Sequence, residues 1–456
     1  MDAEFSAAEL TRISGGKWFN LPEAETLFRL TTDTRQENSG RIFFALAGER
    51  FDAHDFLAQA VDSGCAALCV SRPEVAGVPE KFPVLLVDDT LKAFQQCAKF
   101  HRMRFKNLTV FGVTGSVGKT SVKEMLRAIC VAAGDEKSVL CTEGNTNNQI
   151  GVVQNLLRLN KNHRYAILEA GTSAPGEIAP LAAMIQPHGA IVNSIAPCHL
   201  ENLLSLEGVA TEKSALLQAV SPGGVTVCPA RCAGAEILCR SCAGRKHVTF
   251  GMDGAGDVNA QWLNGSLDGS SFILTFPGGR SFEVNWHLTG RHNALNAAGA
   301  AALASACGIT PETIVRALPH TRLPGMRMKK TQLNGVTYFN DAYNANPASM
   351  RALLTLLDET ADKSRLILCL GGMRELGGRS IAEHTGLLQF VAGKFPGVRL
   401  ITIGREFENI PGNGKYFPTS SEAEAYLASI VRPGDLVAAK GSFGNHTELA
   451  LPEAAR

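Results

Sequence analysis

The feature that most restricts the fold of this chain is the segment FGVTGSVGKTS, residues 111 to 121. An apolar run predicts a β-strand, a glycine-rich turn follows it, and SVKEMLRAIC then reads as a helix. Backbone N–H groups at such a helix start can bind phosphate oxygens. The segment therefore predicts nucleotide binding; the alternative, a chance glycine turn before a helix, does not account for the ordered strand, GKT and helix.

Each position of this loop has an expected task. Lys119 supplies a compact positive charge for the β- and γ-phosphates, and the Thr120 hydroxyl is suited to Mg²⁺. The usual phosphate-loop template has a glycine where this chain has Val113. The residues expected to contact the nucleotide from this loop are Gly115, Ser116, Gly118, Lys119, Thr120 and Ser121.

The rest of the chain has the alternation of apolar runs and helical stretches that is typical of α/β folds with largely parallel sheets. With 456 residues it exceeds the usual size of one hydrophobic core. We place boundaries near residues 105 and 318, which predicts domains at 1–105, 106–318 and 319–456. The stretch from about 249 to 286, with turn residues and alternating FILTF, predicts β-hairpins.

Charge and hydropathy exclude several classes of partner. Lys plus Arg number 44 against 43 Asp plus Glu, a formal net charge of +1, which gives no electrostatic reason to expect nucleic acid. The N-terminal MDAEFSAAEL lacks the features of a signal peptide, and no apolar run approaches about 20 residues. We therefore expect no membrane insertion and a cytoplasmic location.

The twelve cysteines do not suggest a disulfide framework, because several lie within apolar runs. Cys228, Cys232, Cys239 and Cys242 are clustered along the chain, but their spacing is too tight for the common zinc templates. We interpret them as packing residues, with a metal site as the alternative.

Several further motifs accompany the phosphate loop in a fixed order. They are TDTRQENSGRIFFALAGERFDAHDF (32 to 56), GNTNNQIGV (144 to 152), LEAGTSAPGEI (168 to 178), HLENLLSLEGVATEKSALL (199 to 217), GRHNALNAAGAAALA (290 to 304), NDAYNANPASM (340 to 350), LCLGGMRELG (368 to 377) and AKGSFGNHTEL (439 to 449). Together with G-x-T-G-x-x-G-K-T, this series resembles the muramyl-ligase family and its folylpolyglutamate-synthase relatives. Because it contains both NTNNQIGV and YNANP, the chain most resembles the branch of the family whose members add a D-alanyl-D-alanine dipeptide.

The resemblance implies an α/β protein of three domains, with a central phosphate-loop ATPase domain and a Rossmann-like C-terminal domain. It implies a monomeric, ATP-dependent ligase with two Mg²⁺ ions. ATP would phosphorylate the terminal carboxylate of UDP-N-acetylmuramoyl-tripeptide, and the amine of D-alanyl-D-alanine would attack the acyl phosphate. Such chemistry depends mainly on positioned charge around the transferring phosphoryl group.

The same resemblance assigns four catalytic residues: Lys119, Glu169, His199 and Lys213. Thr120 and Glu169 are the expected ligands of the first metal ion, and His199 is expected to bind metal as well. Lys213 aligns with a lysine that the family carries as a carbamate, which would help hold the second Mg²⁺. Read alone, Glu169 could be a solvated strand-end charge, His199 a structural histidine and Lys213 part of a solvated helix face.

Two further sets of residues follow from the resemblance. Those expected to approach ATP outside the loop are Asn296, Arg327, Asp341, Tyr343 and Asn344. Those expected to contact the UDP-sugar substrate are Asp33, Thr34, Arg35, Asn147 and Asn148. Read alone, GRHNALN is a helix start and YNANP a turn before a helix.

The chain departs from the family pattern in two places. LEAGTSAPGEI lacks the Asn-His that many relatives have before Gly-Glu, and KGSFGNHTEL lacks their frequent arginines. Two alternatives therefore stay open: a related ligase with another amino-acid or glutamate acceptor, and a non-catalytic regulator that binds a UDP-sugar or a nucleotide.

Overall fold

A computed structural model describes residues 3–48 and 51–456 of the chain. Within those residues, no helix is both long enough and apolar enough to cross a bilayer. The chain divides into two compact units. The first comprises Met1–Gly112, Gly134–Ala170 and Ala179–Pro187, and the second comprises Val113–Ala133, Gly171–Ile178 and His188–Arg456. The domain boundaries near 105 and 318 stay a prediction.

Helices and strands are interspersed along the N-terminal third of the chain, and they alternate one by one from Val84 onward. Its elements are β1 (Phe5–Ser6), α1 (Ala7–Ser14), β2 (Lys17–Phe19), β3 (Leu27–Thr31), β4 (Arg41–Phe44), α2 (Leu57–Asp62), β5 (Ala67–Val70), β6 (Val84–Leu86), α3 (Thr90–Met103), β7 (Thr109–Thr114), α4 (Lys119–Ala133), β8 (Val139–Cys141), α5 (Gly151–Leu157) and β9 (Tyr165–Glu169).

The middle of the chain continues this alternation and then changes to consecutive strands. Its elements are α6 (Ile178–Ile185), β10 (Gly189–Val192), α7 (Leu200–Leu203), α8 (Leu206–Gln218), β11 (Val225–Pro229), α9 (Ala235–Ser241), β12 (Lys246–Met252), β13 (Val258–Ser266), β14 (Gly269–Thr275), β15 (Ser281–Trp286), α10 (Arg291–Ala306) and α11 (Pro311–Ala317).

The C-terminal part returns to alternating strands and helices. Its elements are β16 (Lys329–Leu333), β17 (Val336–Asn340), α12 (Pro347–Thr360), β18 (Leu366–Gly371), α13 (Ser380–Lys394), β19 (Arg399–Ile403), β20 (Lys415–Phe417), α14 (Ser420–Ile430) and β21 (Leu436–Lys440).

The first unit contains a six-stranded sheet in the order β1-β3-β4-β5-β6-β2. Its inner strands β3 to β6 run parallel, while β1 and β2 are antiparallel to their neighbours. Phe43, Leu68 and Val70 form part of the buried core on this sheet. Further along the chain in the same unit, β8 and β9 pair in parallel.

In the second unit, β10 to β13 are parallel neighbours, and β13, β14 and β15 form an antiparallel meander. The predicted hairpin region is therefore confirmed. The Ala-rich helix α10 packs against this sheet. At Gly299, a Cβ atom would lie 2.9 Å from Ile191 and 3.1 Å from Phe250, so the small residues of α10 permit its close approach.

The same unit contains a second sheet, in the order β16-β17-β21-β18-β19-β20. All its pairings are parallel except that of β16 with β17. Every residue of β18 is buried, as its unbroken apolar run predicts for an inner parallel strand. The carboxyl ends of parallel strands share one edge, and the motifs YNANP, GGMRELG and KGSFGNH follow three of these strands at that edge.

Candidate functional site

The phosphate loop joins β7 to α4, and its conformation requires glycine at position 118. Gly118 has a φ of +79°, and a Cβ atom there would lie 2.5 Å from Asn193 Nδ2 and 2.6 Å from Asn296 Oδ1. Lys119 Nζ donates to the carbonyl oxygen of Gly115 at 2.9 Å. This bond returns the ammonium group to the loop, where a phosphate bound by the backbone amides would need a positive charge.

Two residues that the sequence analysis did not single out, Asn193 and Ser194, form hydrogen bonds with the phosphate loop. Ser194 Oγ accepts from the backbone N–H of Val117 at 2.8 Å. Asn193 Nδ2 donates to the Val117 carbonyl oxygen at 3.0 Å and to Asn296 Oδ1 at 2.8 Å. Both residues directly follow the apolar strand β10. Polar residues at the end of a buried strand are expected to face a ligand, so this position in the sequence could have identified both as site residues.

The predicted loop residues do not all offer their side chains to a ligand. Ser116 is buried, and its hydroxyl donates to the carbonyl oxygen of Ala196 and accepts from the amide of the same residue, both at 3.0 Å. The backbone N–H of Ser116 donates to the carbonyl oxygen of Ser194 at 2.9 Å, so both its hydroxyl and its amide fix the loop. Ser121 lies half-buried in the first turn of α4.

Thr120 is buried and contacts a residue from far along the chain. Its Oγ1 accepts from Arg327 Nη2 at 3.1 Å. The Arg327 guanidinium carbon also lies 3.8 Å from the centroid of the Tyr343 ring, a cation–π contact. The structure thus brings three predicted site residues together at the phosphate loop: Thr120, Arg327 and Tyr343.

Lys213 lies on α8 and is only 1% exposed, which excludes the reading of a solvated helix face. Burial and the positive charge of Lys119 lower the pKa of Lys213 to about 8. The preceding residue, Glu212, accepts from the backbone amides of Gly176 at 2.6 Å and Ile178 at 2.7 Å. Glu212 therefore ties the start of α6 to α8.

His199 pairs with Glu375, a residue that the sequence analysis did not predict. Nδ1 of His199 lies 2.5 Å from Glu375 Oε2. The contact with His199 lowers the pKa of Glu375. Both residues have left-handed backbones, with φ values of 50° and 63°. Such strain persists where surrounding structure enforces it, and it is concentrated at functional sites.

Glu169 ends β9 in the first unit and is 2% exposed, so it is not a solvated strand-end charge. Its Oε1 accepts from Asn147 Nδ2 at 2.9 Å, and its backbone amide donates to Thr142 Oγ1 at 3.0 Å. Asn148 accepts from the amides of Ile150 at 3.2 Å and Gly151 at 2.8 Å at the start of α5. The two asparagines of this motif therefore have different local tasks.

The TDTR segment follows β3 in the first unit and forms a compact turn. Arg35 donates to both carboxylate oxygens of Asp33, with Nε and Nη2 each at 2.8 Å. These bonds hold the pKa of Asp33 well below its usual value. The Arg35 side chain is still 82% exposed, and Thr34 is half-buried beside it. The turn presents a fixed set of polar groups to solvent.

The loop after β17 is held by a buried lysine. Lys440 Nζ donates to Asp341 Oδ2 at 2.7 Å and to the Asn344 carbonyl oxygen at 3.0 Å. Asp341 Oδ1 also accepts from the amide of Met328 at 3.2 Å. Asp341 therefore orders this loop, whatever it contributes to nucleotide binding. Asn344 uses its own Oδ1 to accept from the amide of Ala345 at 2.9 Å.

A cavity of about 460 Å³ opens at the carboxyl edge of the C-terminal sheet. Residues from four segments line it, including Arg374, Arg405, Ser420 and Asn445. Arg374 Nε donates to Asn445 Oδ1 at 3.0 Å. The segment KGSFGNHTEL lacks arginine, but the fold supplies a guanidinium beside it from the loop after β18.

Comparison with known proteins agrees with this arrangement. Residues 113–304 match the Mur ligase middle domain, and residues 326–443 match the Mur ligase, glutamate ligase domain. The UDP-N-acetylmuramoyl-tripeptide–D-alanyl-D-alanine ligase of Escherichia coli (strain K12) is 38% identical, with 86% of this chain and 85% of the relative covered. The enzyme of the same name from Haemophilus influenzae is 35% identical, with 88% and 87% covered.

A crystal structure of MurF from Acinetobacter baumannii superposes with a TM-score of 0.91 at 31% identity, covering 99% of each chain. With the phosphate loop, these similarities define the class of the protein: it is an ATP-dependent ligase. Within that class, the chain belongs to the Mur ligase family.

Proposed function

We propose that this ligase joins D-alanyl-D-alanine to UDP-N-acetylmuramoyl-tripeptide, a step in peptidoglycan precursor synthesis. The observation that carries the proposal is the likeness to relatives of that name over most of the chain, together with the joint presence of Lys119, Glu169, His199 and Lys213. A regulator that no longer catalysed ligation would be free to lose these four residues.

The proposed reaction has two chemical steps. A carboxylate oxygen of the tripeptide attacks the γ-phosphorus of ATP, and the bond from that phosphorus to the leaving oxygen of ADP breaks. The dipeptide amine then attacks the acyl carbon, loses a proton and expels phosphate. Lys119 lies where it can offset negative charge on the transferring group, since its ammonium is bound to the loop at the Gly115 carbonyl oxygen.

We assign Mg²⁺ binding to Thr120, Glu169, His199 and a carbamate on Lys213. Hard cations such as Mg²⁺ prefer oxygen ligands, and a hydroxyl, a carboxylate and a carbamate supply oxygen. Bound Mg²⁺ would neutralise charge on the phosphates and on the developing oxyanion.

The burial of Lys213 supports the proposed carbamate. CO₂ reacts with a neutral amine and not with an ammonium ion. A shift of the Lys213 pKa from 10.5 to about 8 increases the neutral fraction at pH 7 by roughly 300-fold. The carbamate would also replace a buried cation beside Lys119 with an anion, which removes a like-charge repulsion.

We propose that the cavity beside Arg374 receives the dipeptide. Its carboxylate would pair with the guanidinium of Arg374 or Arg405, since arginine binds carboxylates with two parallel hydrogen bonds.

In the first unit, we assign the uridine side of the other substrate to Asp33, Thr34 and Arg35. We assign its sugar diphosphate side to Asn147 and Asn148. The residues that we assign to binding of the adenosine and phosphates of ATP are Asn296, Arg327, Asp341, Tyr343 and Asn344. We further propose that the enzyme works in the cytoplasm as a monomer.

The test is phosphate release by the purified protein with ATP, Mg²⁺, UDP-N-acetylmuramoyl-tripeptide and D-alanyl-D-alanine, each omitted in turn. Release that needs every component, together with the mass of the UDP-pentapeptide, is the expected result. Release that needs a different amine would keep the ligase mechanism and overturn the acceptor. Binding of ATP without release for any amine would favour the regulator.

A further inference from the structure

A group of metal-ligating side chains lies in the second unit among residues to which no part of the proposed reaction has been assigned. In the described part of the chain, Cys228, Cys242 and His247 are the one such group of histidine, cysteine or acidic residues whose ligand atoms lie within 4.8 Å of one another. Two of the four clustered cysteines are therefore brought together, with a histidine that the sequence analysis did not consider. Cys239 is exposed and takes no part.

Secondary structure explains this convergence. Cys228 lies on β11 and His247 on the parallel neighbour β12, where the register pairs Thr226 with His247 and Cys228 with Thr249. Because side chains alternate along a strand, Cys228 and His247 lie on the same face of the sheet. Cys242 caps the carboxyl end of α9, the helix that connects these two strands. Three consecutive elements thus each contribute one ligand.

The distances fit a tetrahedral metal ion better than a disulfide. The two sulfur atoms lie 3.8 Å apart. Two thiolates bound to one Zn²⁺ at about 2.3 Å with a tetrahedral angle are also about 3.8 Å apart. A disulfide would require the sulfurs to approach to about 2.05 Å. The observed spacing therefore matches that of two thiolates on one zinc ion, whereas a disulfide would require the two sulfur atoms to come about 1.8 Å closer.

The electrostatics of the group favour a divalent cation. Cys228 and Cys242 are buried, and Nδ1 of His247 is buried without a hydrogen-bond partner among the described residues. Two thiolates and one neutral imidazole would balance the charge of Zn²⁺, so a buried site would carry no net charge.

We propose that Cys228, Cys242 and His247 bind a structural Zn²⁺ ion, with water or the half-buried Cys232 as the fourth ligand. Soft thiolates and imidazole select zinc over the Mg²⁺ required by the ligase reaction. Leu238 is the one residue within α9 that is fully buried, so the helix has little apolar anchoring of its own. The metal ion would fix the carboxyl end of α9 to β11 and β12.

The test uses the full-length protein without a histidine tag, first for zinc content and then with Co²⁺ as a spectroscopic probe. We expect about one equivalent of zinc per chain, and a thiolate-to-Co²⁺ charge-transfer band with tetrahedral d–d bands after exchange. Co²⁺ bound to oxygen ligands at the proposed Mg²⁺ site would not give the charge-transfer band. Cys228→Ser and Cys242→Ser should lose the band, and the matched control Cys239→Ser should keep it.

His247→Gln provides a second variant if a cysteine variant does not fold, and it should shift the d–d bands while retaining thiolate charge transfer. Zinc should raise the thermal unfolding temperature of the wild type and of Cys239→Ser, but not that of Cys228→Ser or Cys242→Ser. A full band in Cys228→Ser and Cys242→Ser would overturn the proposal. The proposal would also be overturned if the wild-type protein showed neither stoichiometric zinc nor the charge-transfer band, whether its two thiols are free or joined in a Cys228–Cys242 disulfide.

Discussion

Arg327 donates a hydrogen bond to the hydroxyl of Thr120 at 3.1 Å, although 207 positions separate the two residues in the sequence. Its guanidinium also stacks on the ring of Tyr343. One side chain therefore links the first residues of α4 to the loop after β17. A planar group is needed for both contacts, because it must stack on a ring while it donates in its own plane.

We predict that Arg327→Lys will reduce ligation almost as much as Arg327→Ala, since an ammonium cannot stack in this way. Loss of one charged hydrogen bond costs about 2 kcal/mol, which corresponds to a decrease in kcat/KM for ATP of about 30-fold. Steady-state phosphate release measures this effect. The control is Arg322→Ala, because Arg322 is an exposed arginine in the same segment before β16. Full activity of the lysine variant would show that only the charge matters.

Replacement of Lys119 by alanine should abolish most turnover without loss of substrate binding. The ammonium lies at the phosphate loop, and removal of a group that stabilises developing charge costs about 10²- to 10³-fold in kcat. Phosphate release gives the rate, and isothermal titration gives the affinity for the UDP-tripeptide. The exposed Lys137→Ala should behave as wild type. Undiminished ligation by Lys119→Ala would refute the proposed mechanism.

Lys213 should take up CO₂. With ¹³C-bicarbonate, we expect one carbamate carbon signal by NMR in the wild type and no such signal in Lys213→Arg. The signal should strengthen as the pH rises towards the Lys213 pKa of about 8, because more of the amine is then neutral. An active wild-type enzyme without this signal would show that the unmodified lysine suffices.

Arg374→Ala should impair use of the dipeptide in particular. If its guanidinium pairs with the acceptor carboxylate, KM for D-alanyl-D-alanine should rise about 10- to 100-fold, with KM for ATP unchanged. Arg379→Ala is the matched control, since Arg379 pairs with Glu383 on the surface of the same region. Equal increases in both KM values would mean that Arg374 orders the site generally and does not bind the acceptor.

Acid should loosen the end of β18 through His384. Its Nε2 accepts from the amide of Met373 at 2.9 Å, so the buried ring must be neutral in the folded protein. Burial lowers its pKa below the usual 6.5. The unfolded chain therefore binds more protons below pH 6.5, and the stabilising contribution is lost as the pH falls further. Hydrogen exchange of residues 366–379 should accelerate in this range.

The matched experiment for that prediction uses His384→Gln. Exchange in the variant should be faster than in the wild type at pH 7.5, but it should change less between pH 6.5 and 5 once the intrinsic dependence of exchange on pH is removed. Identical pH profiles in both proteins would exclude His384 as the titrating group.

The sequence by itself determined the local structure around the candidate site. The strand, glycine turn and helix from 109 to 133 appear as predicted, because apolar runs and glycines act over a few residues. The reading of YNANP as the turn before a helix is also confirmed, since Asn346 caps α12. The family motifs correctly indicated an ATP-dependent ligase, because they keep the loop and the strand ends that such chemistry needs.

Only the tertiary structure decided which distant residues meet. It buried Lys213 beside Lys119, placed Asn193 and Asn296 behind Gly118, and supplied Arg374 to a segment without arginine. It also grouped Cys228 and Cys242 with His247, through the register of two strands and the end of the helix between them. Local sequence patterns indicate the secondary structure that a segment prefers over one or two turns. Burial, pKa and ligand geometry depend on the packing of segments far apart in the chain, and no short pattern encodes that packing.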